Sequence, residues 1–297
     1  MKHLFAKFLS LWFALVLAVA PLSASACEGN GPAIWKAKGS AGTVYLLGSF
    51  HMLTSNVNWW SPTLGRLLMN ANSLTMEVSN KDMNPKAISL IVQDKGMYGG
   101  QTYLKDKLSE ETYARLMEQA AELGIPEIAL DKFKPWYATL VVSVKAAQVS
   151  GFLPEYGVEA VLSDAASQRG LEIAGLETPY DQLSRLADYD EATQIDMLEN
   201  TLDEIGEMGK TFMDLKRAWC SGDEGELENT MLKGFKEYPK LYDQLLVERN
   251  KNWIKPLKKL LETPGHHLVA VGVAHLVGED SVIRLLRDDG VNITRAQ

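Results

Sequence analysis

Short apolar runs alternate with stretches of helical periodicity along most of the chain. "AIWKAKG" and "TVYLLGS" lie on either side of a glycine-containing turn and predict a hairpin. "SPTLGRLLMNA" places Ser61 as a cap and Pro62 at the first helical position, which predicts a helix. "SLTMEVS" reads as a strand in which Leu74, Met76 and Val78 alternate with Ser73, Thr75 and Glu77. "PKAISLIVQDKG", "SEETYARLMEQAAELG" and "GVEAVLSDAASQRG" carry helical patterns, and Gly170 leads from the last of these into the strand "LEIAGLE". From about residue 180 to 264 the pattern is helical. The strand "HLVAVGVAH", the helix "EDSVIRLLRDDG" and the strand "VNITRA" then close the chain. This order predicts an α/β class, a central sheet with flanking helices, with residues 27–297 as one domain carrying a helical insertion.

The N-terminus departs from this pattern. Lys2 and Lys7, the apolar run "FLSLWFALVLAVA" and the small-x-small triplet Ala24-Ser25-Ala26 read as a secretory leader cleaved after residue 26. The run is short for a membrane span, and no second long apolar run follows, so the expected mature protein is exported without an integral span. Removing Lys2 and Lys7 from the 30 basic residues leaves 28 against 38 acidic ones, a net charge of −10. That balance argues against nucleic acid as a partner. The two cysteines, Cys27 and Cys220, are a candidate disulfide in an oxidising compartment. The alternative is a lipid on Cys27, against which stands Ala24 where a lipoprotein signal prefers leucine.

Candidate chemistry starts from a repeated phrase. Two apolar strands end in G-x-x-H: Gly48 to His51, and Gly272 to His275. A glycine at a strand end lets another group approach closely, and the carboxyl ends of strands are where open α/β sheets bind ligands. Of the five histidines, His3 leaves with the leader, while His266 and His267 read as surface residues. His51 and His275 can supply part of a divalent-metal site, with Glu77 as the carboxylate. By periodicity alone, Glu77 reads first as a solvated strand charge; its place one β-α-β step after His51 is what makes it a candidate.

Arg249 is the other singular residue. Tyr238, Tyr242, Leu245, Arg249, Trp253 and Leu260 fall on one helical face, so the arginine interrupts an apolar stripe. It is either a buried ion pair or a fixed cation beside an anionic substrate or oxyanion. Glu159 and Glu177 stand near predicted element ends and read first as structural; Tyr156 and Trp136 are possible pocket linings. The sequence holds no HExxH, G-x-S-x-G, P-loop or G-x-G-x-x-G motif, and two cysteines cannot build a thiolate zinc site.

Together these segments carry a resemblance. "PAIWKAKG", "TVYLLGSFHML", "WWSPTL", "LTMEV", "KPWYA", "EYGVEAVL", "GLETPYDQL", "LLVERNKNW" and "VAVGVAHLVGEDSVIRLLRDDG" make the chain similar to the TraB/GumN family, which includes the Tiki-type proteins. Many members carry Asp where Glu159 stands. The resemblance implies a cleft that gathers His51, Glu77, Arg249 and His275, with Gly48, Gly272 and Glu159 around them. It implies a fold similar to erythromycin esterases and a haem-binding lipoprotein group. It also implies a metal-dependent hydrolase, a peptidase using manganese, cobalt or zinc, in which His51, His275 and Glu77 bind the metal and Glu77 and Arg249 assist catalysis. The alternatives it leaves open are an envelope protein binding metal, haem or a small ligand without turnover, and an accessory scaffold for polysaccharide or conjugation machinery.

Overall fold

The computed structural model describes residues 25–27, 31–79, 81–233, 235 and 238–297. The expected leader, residues 1–26, lies outside the described residues except for Ser25 and Ala26, which pair in parallel with Val57 and Asn58. The central sheet has six strands: β1 (Ile34–Lys38), β2 (Gly42–Ser49), β3 (Ser73–Met76), β4 (Glu172–Gly175), β5 (Gly265–Gly272) and β6 (Asn292–Arg295). Their spatial order is β4-β3-β5-β2-β1-β6. The four strands from β4 to β2 run parallel, whereas β1 pairs antiparallel with both β2 and β6. The fold is therefore mixed α/β, and the hairpin expected from residues 33–49 is the β1–β2 pair.

Eleven helices of seven or more residues are present among the described residues. They are α1 (Pro62–Asn70), α2 (Pro85–Ile91), α3 (Glu110–Glu122), α4 (Pro135–Val149), α5 (Val158–Gln168), α6 (Pro179–Ala187), α7 (Glu191–Glu204), α8 (Met208–Ser221), α9 (Glu224–Met231), α10 (Glu248–Glu262) and α11 (Val282–Asp288). Their starts follow local chemistry. The Ser61 side chain accepts from the Leu64 amide at the start of α1, and Thr178 and Asp181 form a capping box that opens α6. Between Gly175 and Gly265 the described residues hold helices and no strand.

Parallel strands are covered on both faces, so alternation stops being a guide to exposure. Leu46 and Leu47 are neighbours on β2 and both are buried; on β5, Leu268, Val269, Ala270 and Val271 are all buried. The same holds for Leu74, Thr75 and Met76 of β3. A second apolar cluster, including Leu116, Val142 and Leu198, joins α3, α4 and α7 away from the sheet.

Register places the strand ends together. Ser49 of β2 lies opposite Gly272 of β5, and Met76 of β3 lies opposite Ala270 on the other side of β5. The segments beyond these three ends emerge side by side, with β5 in the middle. A Cβ on Gly48 would stand 2.7 Å from Val273 Cγ2, so the missing side chain lets the turn after β5 close over β2. Behind this junction, the Trp219 indole donates to the Gly48 carbonyl at 2.8 Å. The next residue, Cys220, is disulfide-bonded to Cys27, which ties the end of α8 to the N-terminal segment.

Trp219→Phe keeps most of the ring and removes this donor, leaving the Gly48 carbonyl buried and unpaired. The expected loss is about 1–3 kcal/mol, read as a lower urea midpoint at unchanged slope with the disulfide intact.

Candidate functional site

Glu77 is the first residue beyond β3, His51 lies two residues beyond β2, and His275 closes the 3-10 turn Val273–His275 after β5. A Cβ built on Gly272 would lie 3.1 Å from Glu77 Oε1, 3.5 Å from His51 Nε2 and 3.6 Å from His275 Cδ2. Three side chains from three strand ends thus converge on the space that Gly272 leaves open. The φ of Gly272 is −48°, so it is space and not backbone conformation that requires glycine here.

Arg249, on the first turn of α10, sits behind this space with every N–H engaged. Nε donates to Glu177 Oε1 and Oε2 at 3.1 and 3.2 Å, and Nη2 donates to Glu177 Oε1 at 2.6 Å and to Glu77 Oε2. Nη1 donates to the Leu245 carbonyl and to His275 Nε2, both at 3.0 Å. Glu77 is held at both oxygens: Oε2 also accepts from Gln182 at 3.0 Å, and Oε1 accepts from the Gly272 amide at 2.7 Å. The Trp253 ring packs 4.4 Å from the His275 ring and 4.8 Å from the guanidinium carbon.

His51 is anchored differently. Its Nδ1 lies 2.8 Å from Glu159 Oε1, which also accepts from the Ser49 hydroxyl at 2.5 Å. The His51 side chain is 63% exposed, which makes it the face of the cluster open to solvent. Glu159 Oε2 is buried without a hydrogen-bond partner.

These surroundings drive the two histidines apart. The Glu159 carboxylate raises His51 to about 9, an attraction that solvent screens in part at so exposed a ring. Burial is the main cause that lowers His275 to about 3, so this imidazole is neutral at ordinary pH. Burial alone would push Glu77 up. The cations around it and the Gly272 amide hold it at about 2, and with His275 neutral the effective cations are Arg249 and the protonated His51. Burial raises Glu177 despite its bidentate arginine, while His51 and Ser49, against the cost of desolvation, hold the half-buried Glu159 below its usual range.

The structure brings all four principal residues, His51, Glu77, Arg249 and His275, into one cluster with Gly272 and Glu159. It also corrects several readings of the sequence. Glu77 is buried, since the strand it follows is covered on both faces. His267 is buried too, bonded to Ser73 Oγ and the Thr263 carbonyl, while His266 is exposed. The helical face drawn through Tyr238, Leu245 and Leu260 shifts because Asp243–Val247 forms a wider π-type turn. Leu246, Val247, Asn250, Leu257 and Leu261 join Arg249 and Trp253 as the buried positions, and Tyr238, Leu245 and Leu260 are half-buried. Glu177 moves from structural carboxylate to partner of Arg249. Gln182 and Asn250 were not legible as site residues at all; Asn250 Oδ1 lies 2.6 Å from His275 Nδ1. Trp136 donates its indole N–H to the Lys95 carbonyl in a buried position, and Tyr156 is exposed.

No cluster of three or more His, Cys, Asp or Glu side chains forms a metal cage among the described residues. The donors open to a cation are His51 Nε2 and Glu77 Oε1, because Arg249 already occupies the Nε2 of His275. With His275 neutral and His51 protonated, Glu77, Glu159 and Glu177 against Arg249 and His51 leave a local charge of about −1, which becomes about −2 once His51 loses its proton. A divalent ion placed here would have two protein donors, His51 Nε2 and Glu77 Oε1, and would need water to complete its shell.

A family model described as the TraB/PrgY/gumN family matches residues 33–295. The "Uncharacterized protein YbaP" of Escherichia coli (strain K12) is 26% identical over 243 residues, covering 82% of this chain and 87% of that protein. The protein of the same description from Shigella flexneri matches to the same extent. No solved structure matches the chain.

The titration pattern predicts stability against pH. His275 falls from 6.5 in the unfolded chain to about 3, and Glu77 from 4.5 to about 2, so both contributions are lost as acid is added through those ranges. His51 rises from 6.5 to about 9, so its contribution is full below 6.5 and is lost as pH climbs toward 9. Urea midpoints from pH 3 to 9 should peak near neutrality, and His51→Gln should flatten the alkaline limb. An alkaline limb unchanged in that variant would contradict the assignment.

Proposed function

The chain belongs to the TraB/PrgY/gumN family, and on that premise we propose that it is an exported, metal-dependent hydrolase acting on peptides. The observation that carries this reading is the convergence of His51 Nε2, Glu77 Oε1 and His275 on the space beside Gly272. No helix of the described residues is long and apolar enough to cross a membrane, and the Cys27–Cys220 bond supports an oxidising compartment.

A manganese, cobalt or zinc ion would be held by His51 through Nε2 and Glu77 through Oε1, with His275 a third donor only where Arg249 yields its Nε2. Such an ion supplies a water of lowered pKa and polarises a carbonyl. The chain's own residues prepare the donors. Glu159 holds the Nδ1 proton of His51, which leaves Nε2 as the ligating atom. Arg249, Gln182 and the Gly272 amide pin Glu77, so its Oε1 faces the open space without rotamer loss on binding. Arg249 acts through Glu77: with all five N–H groups committed, it orients the carboxylate and does not reach a substrate oxyanion. Because His51 gives up its second proton when Nε2 ligates, metal affinity rises with pH.

That full commitment of Arg249 also favours a second reading, an envelope protein that binds a metal or small ligand without turnover. The protein, stripped of metal, is assayed against a broad peptide library with manganese, cobalt or zinc restored. The hydrolase reading expects cleavage that returns with metal and falls about 100-fold or more in His51→Ala. Absence of metal-stimulated cleavage, or cleavage that survives loss of both His51 and His275, overturns it. Histidine-dependent stoichiometric binding without cleavage establishes the second reading.

A further inference from the structure

We infer that Asn250 is a positioning residue that fixes the tautomer of His275 and thereby seats Arg249 against Glu77. Asn250 follows Arg249 on α10 and is 1% exposed. Its Nδ2 donates to the backbone carbonyl of Asp280 at 2.8 Å, and its Oδ1 lies 2.6 Å from His275 Nδ1.

A carbonyl oxygen can only accept, so the amide must turn its NH2 toward Asp280. The opposite orientation would bring two acceptors together at Asp280. Asn250 therefore presents Oδ1, an acceptor, to His275, and Nδ1 must carry the hydrogen. In neutral imidazole only one nitrogen is protonated, so Nε2 is left with a bare lone pair. That lone pair accepts from Arg249 Nη1 at 3.0 Å. With the other tautomer an Nε2–H would face the arginine N–H, donor against donor. The arginine would lose this acceptor, and with it one of the bonds that hold it beside Glu77 and Glu177. A line of hydrogen bonds thus runs from Asp280 through Asn250, His275 and Arg249 to Glu77 and the Gly272 amide.

The same device is used on the other histidine with a different acceptor. His51 Nδ1 meets a carboxylate, Glu159, whereas His275 Nδ1 meets a neutral amide. Both rings turn Nε2 inward, but only the neutral acceptor lets a buried imidazole stay uncharged beside a guanidinium without adding a third buried carboxylate to Glu77 and Glu177.

The bearing on hydrolysis rests on the proposed activity; the tautomer does not, and it is read without metal or substrate. Long-range 1H–15N spectra of the intact, 15N-histidine-labelled protein should show His275 Nδ1 as pyrrole-like and Nε2 as pyridine-like. Asn250→Asp keeps an acceptor at Nδ1, so Nδ1 should stay pyrrole-like, while the added carboxylate draws a second proton toward Nε2. Asn250→Leu removes the acceptor, and the separation between the two resonances should collapse or invert. Activity, where present, should fall about 10- to 100-fold in Asn250→Leu. A wild-type His275 protonated at Nε2, or an Asn250→Leu spectrum identical to wild type, overturns the inference. Should Asn250→Leu fail to fold, the wild-type and Asn250→Asp spectra decide it. The expected tautomer in a protein that cleaves nothing leaves the inference standing and removes the hydrolase reading. Cleavage by a protein whose His275 carries Nε2–H does the reverse.

Discussion

A buried guanidinium must have its charge and all five of its N–H groups answered, and in this protein that requirement organises the whole carboxyl edge of the sheet. Arg249 reaches the end of β3 through Glu77, the end of β4 through Glu177 and the turn after β5 through His275. A single helix residue therefore ties three neighbouring strand ends together. Burying one arginine with two carboxylates is costly in desolvation, and the compensation comes from a fully satisfied hydrogen-bond set. Such a cluster does not tolerate partial loss, since any missing partner leaves a charge without an answer in a dry surrounding.

Within that frame, the two histidines of the repeated G-x-x-H phrase are chemically unlike. His275 lies deep, neutral, against Trp253 and Arg249; His51 lies at the mouth, beside a carboxylate, with its ring largely in solvent. Their glycines differ as well. Gly48 permits backbone closure between β2 and the turn after β5, whereas Gly272 leaves room among three polar side chains. A motif that looks duplicated in one dimension is thus divided in three dimensions into an inner, structural half and an outer half able to meet a ligand.

Family membership and the site geometry carry different weight. The match over residues 33–295 assigns the family, and the relatives in Escherichia coli and Shigella flexneri bring no activity with them. The chemistry is argued from donors, charge and space at the cluster, and a fold alone hosts many reactions.

Much of the architecture was legible in the order of apolar runs, turn glycines and caps, because these act within a few residues of one another. The β1–β2 hairpin, α1 with its Ser61 cap, and strand ends at Gly48 and Gly272 all follow from such local rules. Arg249 stood out because a charge in an apolar stripe breaks periodicity, and the histidines because so few occur. Burial of Glu77 was not legible: alternation describes a strand with one wet face, and β3 has none. Nor could Glu177, Gln182 or Asn250 be told from surface polar residues, since each takes its meaning from a partner far away in the chain. The π-type turn at Asp243–Val247 further changes how the segment before it lines up with Arg249 and Trp253, which a uniform helical period cannot represent. The sequence by itself determined the elements and the residue types at their ends, through short-range sterics and periodicity. Only the tertiary structure decided which of those ends meet and which charges answer one another, because strand order and burial are set by contacts between distant segments.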